Sequence, residues 1–213
     1  LIGGDTSRTP EGVTLDSIVL GEVRRGRAVL RSGARPGDLI FVTGSLGGAA
    51  AGLRVLRERA DSGARLTHAR GELALRQTRP TPRVEWGMFL GESRLARAMI
   101  DLSDGLSSDL AHLCRESRAG ATVDAALLPL DPLLGHAVKT DDEALRLALD
   151  GGEDFELLFT VSPRAASKLP EQLGGVPVTR IGEVTAEPGK LRLLRGGRAR
   201  TLRPGGFEHF KER

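Results

Sequence analysis

Two spacings of apolar residues alternate along this chain, and each change of spacing marks the border of a predicted element. Val13-Thr14-Leu15-Asp16-Ser17-Ile18-Val19-Leu20 is rich in β-branched residues and predicts a strand that continues toward Val23. Arg31-Ser32-Gly33-Ala34-Arg35-Pro36-Gly37-Asp38 is turn chemistry, and it feeds Leu39-Ile40-Phe41-Val42-Thr43, a short continuous apolar run of the buried-strand type. Gly44-Ser45-Leu46-Gly47-Gly48 then opens a helix with Ala50, Leu53, Leu56 and Ala60 three and four apart, which Asp61-Ser62-Gly63 ends. Residues 64–95 keep helical spacing but are broken by Pro80 and Pro82, which predicts two helices with a proline joint.

A second strand, turn and helix unit follows. Ala98-Met99-Ile100 is the strand, Asp101-Leu102-Ser103-Asp104-Gly105 the turn, and Leu106, Leu110, Leu113 and Cys114 the stripe of a helix ending near Gly120. Further along, the pattern predicts a strand over 121–127, helices around Leu133 and from Asp142 to Leu149, and a strand from Phe155 to Val161. Residues 163–173 read as helix, Val176 to Val184 as strand, and Lys190 to Leu194 pairs with Arg198 to Leu202 across Gly196-Gly197 as a hairpin. The fold class is mixed α/β (α+β).

Composition narrows the class. The 213 residues are 39% hydrophobic and 28% charged, enough to build a core and too apolar for a disordered chain. No apolar run approaches the roughly 20 residues that cross a bilayer, so no membrane role is expected. One cysteine, Cys114, leaves no internal disulfide, and no secretory leader opens the chain, so the cytoplasm is the expected location. Leu1-Ile2-Gly3-Gly4-Asp5 reads as the tail of a strand entering a glycine turn, as in a chain whose beginning has been cut away. The excess of 31 basic over 28 acidic residues gives a net charge of +3, and arginines interleaved with acids form no single-signed face, so nucleic acid is not the expected partner. The six basic residues Lys190, Arg192, Arg195, Arg198, Arg200 and Arg203 on the last hairpin keep a nucleic-acid-binding module as an alternative.

Three clusters of acid and glycine lie where an element has just ended: Gly3-Gly4-Asp5-Thr6-Ser7, Asp101-Leu102-Ser103-Asp104-Gly105 and Gly151-Gly152-Glu153-Asp154. Hard carboxylate oxygens beside flexible glycines suit Mg²⁺ shared with nucleotide phosphates, although Asp and Gly are also ordinary turn residues. In the middle cluster, capping the following helix accounts for one of Ser103 and Asp104. A second acid three residues away, at the positive end of a helix dipole, fits a place where cation and phosphate meet. Gly44-Ser45-Leu46-Gly47 has the backbone for a phosphate cradle but lacks the lysine of a P-loop, and reads first as the start of a helix. The histidines show no metal-ligand spacing.

In these motifs the chain resembles the thiamine-monophosphate kinases of the aminoimidazole ribonucleotide synthetase-like superfamily. The resemblance is carried by Asp101-Leu102-Ser103-Asp104-Gly105-Leu106 with Asp109, and by Gly151-Gly152-Glu153-Asp154-Phe155-Glu156-Leu157-Leu158-Phe159. Gly3-Gly4-Asp5-Thr6-Ser7, the 31–38 turn, Thr43-Gly44-Ser45-Leu46-Gly47 and Pro82-Arg83-Val84-Glu85 agree in the same order. It implies ATP and Mg²⁺ as cofactors, thiamine monophosphate as substrate and direct in-line phosphoryl transfer giving thiamine diphosphate. Gly4, Asp5, Arg31 and Ser103 would contact ATP, Asp5, Asp101 and Asp104 would hold Mg²⁺, and Glu153 and Phe207 would contact thiamine; no further catalytic residue is assigned. It further implies that residues 1–24 are the remnant of an N-terminal ATP- and metal-binding domain, which supplies a homodimer interface, and that 25–213 form the C-terminal domain. On this reading the 213 residues alone are inactive. Another ATP-using enzyme of the superfamily is the alternative within the same fold.

Overall fold

A computed structural model describes residues 20–63 and 65–207 of the chain. One sheet of eight strands organises them. Its centre is β1 (Leu39–Thr43), flanked on both sides by antiparallel partners, β4 (Leu157–Val161) and β6 (Val176–Thr185). Beyond β4 lies β2 (Ala96–Asp101); beyond β6 lie β3 (Gly120–Asp124), β7 (Leu191–Arg195) and β8 (Arg198–Thr201), with the two-residue β5 (Gln172–Leu173) pairing β6 off the main path. The β3–β7 pair is parallel and the other pairs are antiparallel.

The continuous apolar run of β1 is explained by burial on both faces. Ile40 and Val42 enter one core with Leu158, Ile181 and the stripe Leu106, Leu110 and Leu113, which belongs to α4 (Leu106–Ser117). Phe41 points the other way, into a core with Phe159, Val161, Trp86 and Leu90. Trp86 and Leu90 come from α3 (Val84–Ser93), and the buried Trp86 indole N–H donates to the Val176 carbonyl at 3.0 Å. The sheet is thus a middle layer, which is why its central strand does not alternate with polar residues.

α1 (Gly48–Ser62) crosses α2 (His68–Thr78) at close range. A Cβ on Gly52 would sit 2.0 Å from the Leu73 carbonyl, so only glycine allows the approach. The buried face of α1 is accordingly the small-residue set Gly48, Ala49, Ala51 and Gly52 with Val55, not the expected stripe of Ala50, Leu53, Leu56 and Ala60. The proline joint between α2 and α3 and the 190–202 hairpin match expectation; Gly196 and Gly197 both carry positive φ, 55° and 75°, as a tight hairpin turn requires.

Other boundaries differ. Residues 163–173 form only the single turn α6 (Pro163–Ala166) before β5, because Pro170 and Gly174-Gly175 surround a stretch too short to continue. β3 ends at Asp124, whose carboxylate accepts from the Ala126 N–H and turns the chain into a 3₁₀ segment over Ala125–Leu127. The helix expected around Leu133 is a 3₁₀ turn, Leu134–His136. α4 stops at Arg118 in the left-handed conformation, and Gly120 already belongs to β3. Of the strand expected over 13–23, residues 13–19 lie outside the described residues and 20–23 are not in a strand. No helix among the described residues is long and apolar enough to cross a membrane.

Candidate functional site

The site is built where β2 runs out. Past Asp101 the β2–β4 pairing carries on without strand geometry: the Leu102 N–H donates to Glu156 O at 2.8 Å, Phe155 N–H to Leu102 O at 2.9 Å, and Glu153 N–H to Ser103 O at 2.9 Å. These bonds hold 153–155 against 102–103 although Glu153 and Phe155 have φ of 68° and 49°, a conformation costly for residues with side chains. Two glycines make the contact possible. A Cβ on Gly152 would meet the Ser103 carbonyl at 2.6 Å, and Gly105, with φ of 112°, passes 3.0 Å from the Asp150 backbone carbon by the same measure.

A cleft of about 570 Å³ opens at this junction, walled by Ser103, Asp104, Glu153, Phe155, Gln77 and Phe207, with Ala50, Leu53 and Arg57 of α1 opposite. Ala50 and Leu53 of the expected α1 stripe therefore line the cleft and not the core. Four of the residues expected at the site, Ser103, Asp104, Glu153 and Phe207, meet here from three distant segments. Asp101 ends β2 two residues before Ser103. Arg31 is not in the wall: its side chain is exposed and its carbonyl accepts from the Ser117 hydroxyl at 3.3 Å, at the far end of α4. Gly4 and Asp5 lie outside the described residues. A larger cleft, about 740 Å³, between residues 22–29 and α3, contains none of the expected site residues.

Carboxylates crowd the turn. Asp109, buried in the first turn of α4, accepts from the backbone N–H groups of Asp104 and Gly105, each at 3.1 Å. Burial pushes its carboxyl up to about 6, and the charges of Asp104 and Asp101 push the same way against those two donors. The turn therefore concentrates negative charge beside a helix N-terminus, and hard carboxylate oxygens of Asp101 and Asp104 fit Mg²⁺ as part of a ligand set. No group of three or more His, Cys, Asp or Glu residues able to hold a metal is assembled among the described residues.

The neighbouring acids do different work. Asp154 accepts from the N–H groups of Gly47 at 2.7 Å and Ala49 at 3.0 Å, capping α1, whose own N-cap, Gly47, has no side chain for the purpose. Those donors are consumed by a carboxylate, so Gly44 to Gly48 is a helix start. Burial pushes the Asp154 carboxyl up to about 7, with Glu156 and Asp131 adding to the rise and the two N–H donors opposing it. Glu156, buried, takes Arg83 in two bonds of 2.6 Å and the Thr43 hydroxyl at 2.7 Å. By contrast Glu153 is exposed, and its carboxylate accepts from the Gln77 amide. Gln77, Arg57 and Ser108 carried no signal in the sequence; they reach the site through the α1–α2 crossing and the return of the tail.

On the last hairpin, Arg192 and Lys190 pair with Glu187, holding its carboxyl down to about 2, and Arg195 pairs with Asp142. Half of the basic set that suggested nucleic acid is thus matched by acids.

An eight-stranded mixed sheet with helices on both faces and an acidic turn at its edge defines the class. The profile of AIR synthase related protein, C-terminal domain, matches residues 35–193, and the chain belongs to that family. Within it the chain is similar to the thiamine-monophosphate kinase of Escherichia coli (strain K12), 46% identical over 214 residues, 99% of this chain and 63% of that protein. It is also similar to the crystal structure of thiamine-monophosphate kinase from Stenotrophomonas maltophilia K279a, with 39% identity and a TM-score of 0.72 over 84% of this chain and 56% of that one. A third likeness is to AaThiL complexed with AMPPCP and TMP, 31% identical with a TM-score of 0.71, covering 85% of this chain and 54% of that one. The chain spans 63% of the length of the curated relative it matches.

Proposed function

We propose that the full-length protein containing this chain transfers the γ-phosphoryl group of ATP to thiamine monophosphate. A new P–O bond forms between the substrate's phosphate oxygen and the γ-phosphorus, the β–γ bridging bond breaks, and thiamine diphosphate and ADP leave. The observation that carries the reading is the cleft in which Ser103, Asp104, Glu153 and Phe207 converge from three segments about fifty residues apart. The similarity to enzymes named for this reaction, one of them complexed with AMPPCP and TMP, supports it.

In this reading Asp101 and Asp104 hold Mg²⁺ together with Asp5, and the ion when bound neutralises charge on the ATP phosphates. Ser103 and Gly4 contact the nucleotide; Arg31, exposed at the far end of α4, is given no role in this cleft. Glu153 faces the thiamine cation, since a carboxylate set against triphosphate would repel it, and Phe207 offers a ring for its aromatic system. Transfer is direct and in line, so the chain's task is to position two phosphates and balance their charge. The full-length protein is a homodimer through an N-terminal domain, of which residues 1–24 are the end. The test is thiamine diphosphate formation by the full-length protein with ATP, Mg²⁺ and thiamine monophosphate. Product that depends on both substrates is expected; ATP turnover indifferent to thiamine monophosphate would overturn the assignment.

A further inference from the structure

The last described residues of the chain are fixed in an unusual manner. A terminal aromatic ordinarily tacks a tail down by burying its ring, yet Phe207 is 62% exposed. What holds the tail is its backbone. The Gly205 N–H donates to the Ser107 hydroxyl at 3.0 Å, the Gly206 N–H to the Ser108 hydroxyl at 3.1 Å, and the Phe207 N–H to the Asp104 carbonyl at 3.0 Å. Both hydroxyls are buried in the first turn of α4. Ser107 also donates to the Asp150 carboxylate at 2.7 Å, just before the Gly151–Asp154 segment.

Gly206 is sterically required, and a side chain at Gly205 would displace a carboxylate. A Cβ on Gly206 would stand 2.1 Å from the Asp104 carbonyl oxygen and 2.7 Å from the Ser108 hydroxyl, and one on Gly205 would stand 2.8 Å from the Asp150 carboxylate. Three successive N–H groups thus find acceptors on the same turn that bears Asp104. Because the ring is left at the surface, this arrangement fixes where the ring stands and does little for the core. The ring stands between two clefts: it walls the one with Asp104 and Glu153, and also a groove of about 620 Å³ between α1 and α5 (Asp141–Asp150).

We infer that Ser107, Ser108 and the Gly205-Gly206 pair form a clasp that positions Phe207 as the partition of the substrate cleft, setting its size and its aromatic wall. The inference rests on the thiamine monophosphate reading for the identity of the ligand, and on geometry alone for the clasp. Ser107 and Ser108 act through Phe207 and are positioning residues.

The test uses the full-length protein and two readouts. Hydrogen exchange should find the Gly205–Phe207 amides protected, and exchange at Gly206 should speed up at least about tenfold in Ser108→Ala, which removes its acceptor. Steady-state kinetics of Gly206→Ala, which pushes the tail off the turn, should raise KM for thiamine monophosphate about tenfold, the scale of a lost aromatic contact, with KM for ATP within about twofold. Gly206→Ala combined with Phe207→Ala should then be no worse than Phe207→Ala alone. Unprotected tail amides in the wild type would overturn the clasp; equal shifts for both substrates, or additive effects of the two substitutions, would reduce it to ordinary structure. If the wild type makes no thiamine diphosphate, the functional reading fails, and the exchange data still decide whether the clasp exists.

Discussion

Glu153 and Glu156 sit three residues apart in one acidic stretch and belong to different regions of the molecule. Glu153 is on the mouth of the cleft, exposed, on a backbone held at a φ of 68°. Glu156 lies buried beneath, where Arg83 and Thr43 satisfy its carboxylate. Asp154, between them, is half-buried and turns its carboxylate to the start of α1. The buried layer's charge holds loops in place through Arg83 and backbone donors, whereas the exposed Glu153 carboxylate meets the neutral Gln77 amide. Acidity in the sequence therefore does not by itself mark a site; what separates the two regions is whether the protein has already supplied the partner.

The sharpest way to break that comparison is to remove the partner from the buried layer. Glu156→Ala leaves the largely buried Arg83 guanidinium uncompensated and should cost about 3–5 kcal/mol in urea unfolding, whereas Glu153→Ala should stay within about 0.5 kcal/mol. Similar costs for the two would erase the distinction. Next in size, Asp104→Asn in the full-length protein should lower turnover on the order of a hundredfold with an unchanged melting temperature, since it removes charge that a metal would use and keeps the shape of the side chain. A melting temperature that falls in step with activity would return Asp104 to the buried layer.

A smaller effect is expected at Asp154. Its folded carboxyl is raised to about 7 from an ordinary value near 3.8, so the folded state holds the proton through a window where the unfolded chain has lost it. That contribution to stability is present at low pH and declines as pH rises from about 4 to 7. Asp154→Ala, which removes the cap, should therefore be less stable than wild type by about 1 kcal/mol at pH 5, the usual worth of a helix cap, and the gap should narrow toward pH 8. A gap that widens instead would mean that the two N–H donors outweigh burial.

Much of this was legible in residue order. β1, the α2–α3 joint, α4 and the final hairpin follow from spacing and from Gly and Pro placement, because each is determined by its own segment. The turn at Asp101–Gly105 was legible as the junction between β2 and α4 for the same reason. The buried face of α1 was not, since Gly52 acquires its meaning only from the Leu73 carbonyl across the helix crossing. Residues 163–173 misled because helical spacing in a short segment yields to the flanking Pro170 and Gly174-Gly175. That Asp154 caps a helix beginning a hundred residues earlier, and that Ser108 receives the tail, are facts of tertiary placement with no local signature.

On the proposed function, the exposed acid at the mouth serves the thiamine side of the cleft. The pair of Michaelis constants of Glu153→Gln in the full-length protein, a change that keeps shape and removes charge, decides this. KM for thiamine monophosphate is expected about tenfold higher, with KM for ATP and the urea midpoint unchanged. Equal rises in both constants, or a lowered midpoint with neither constant moved, would contradict it and place Glu153 with the buried layer as part of the scaffold.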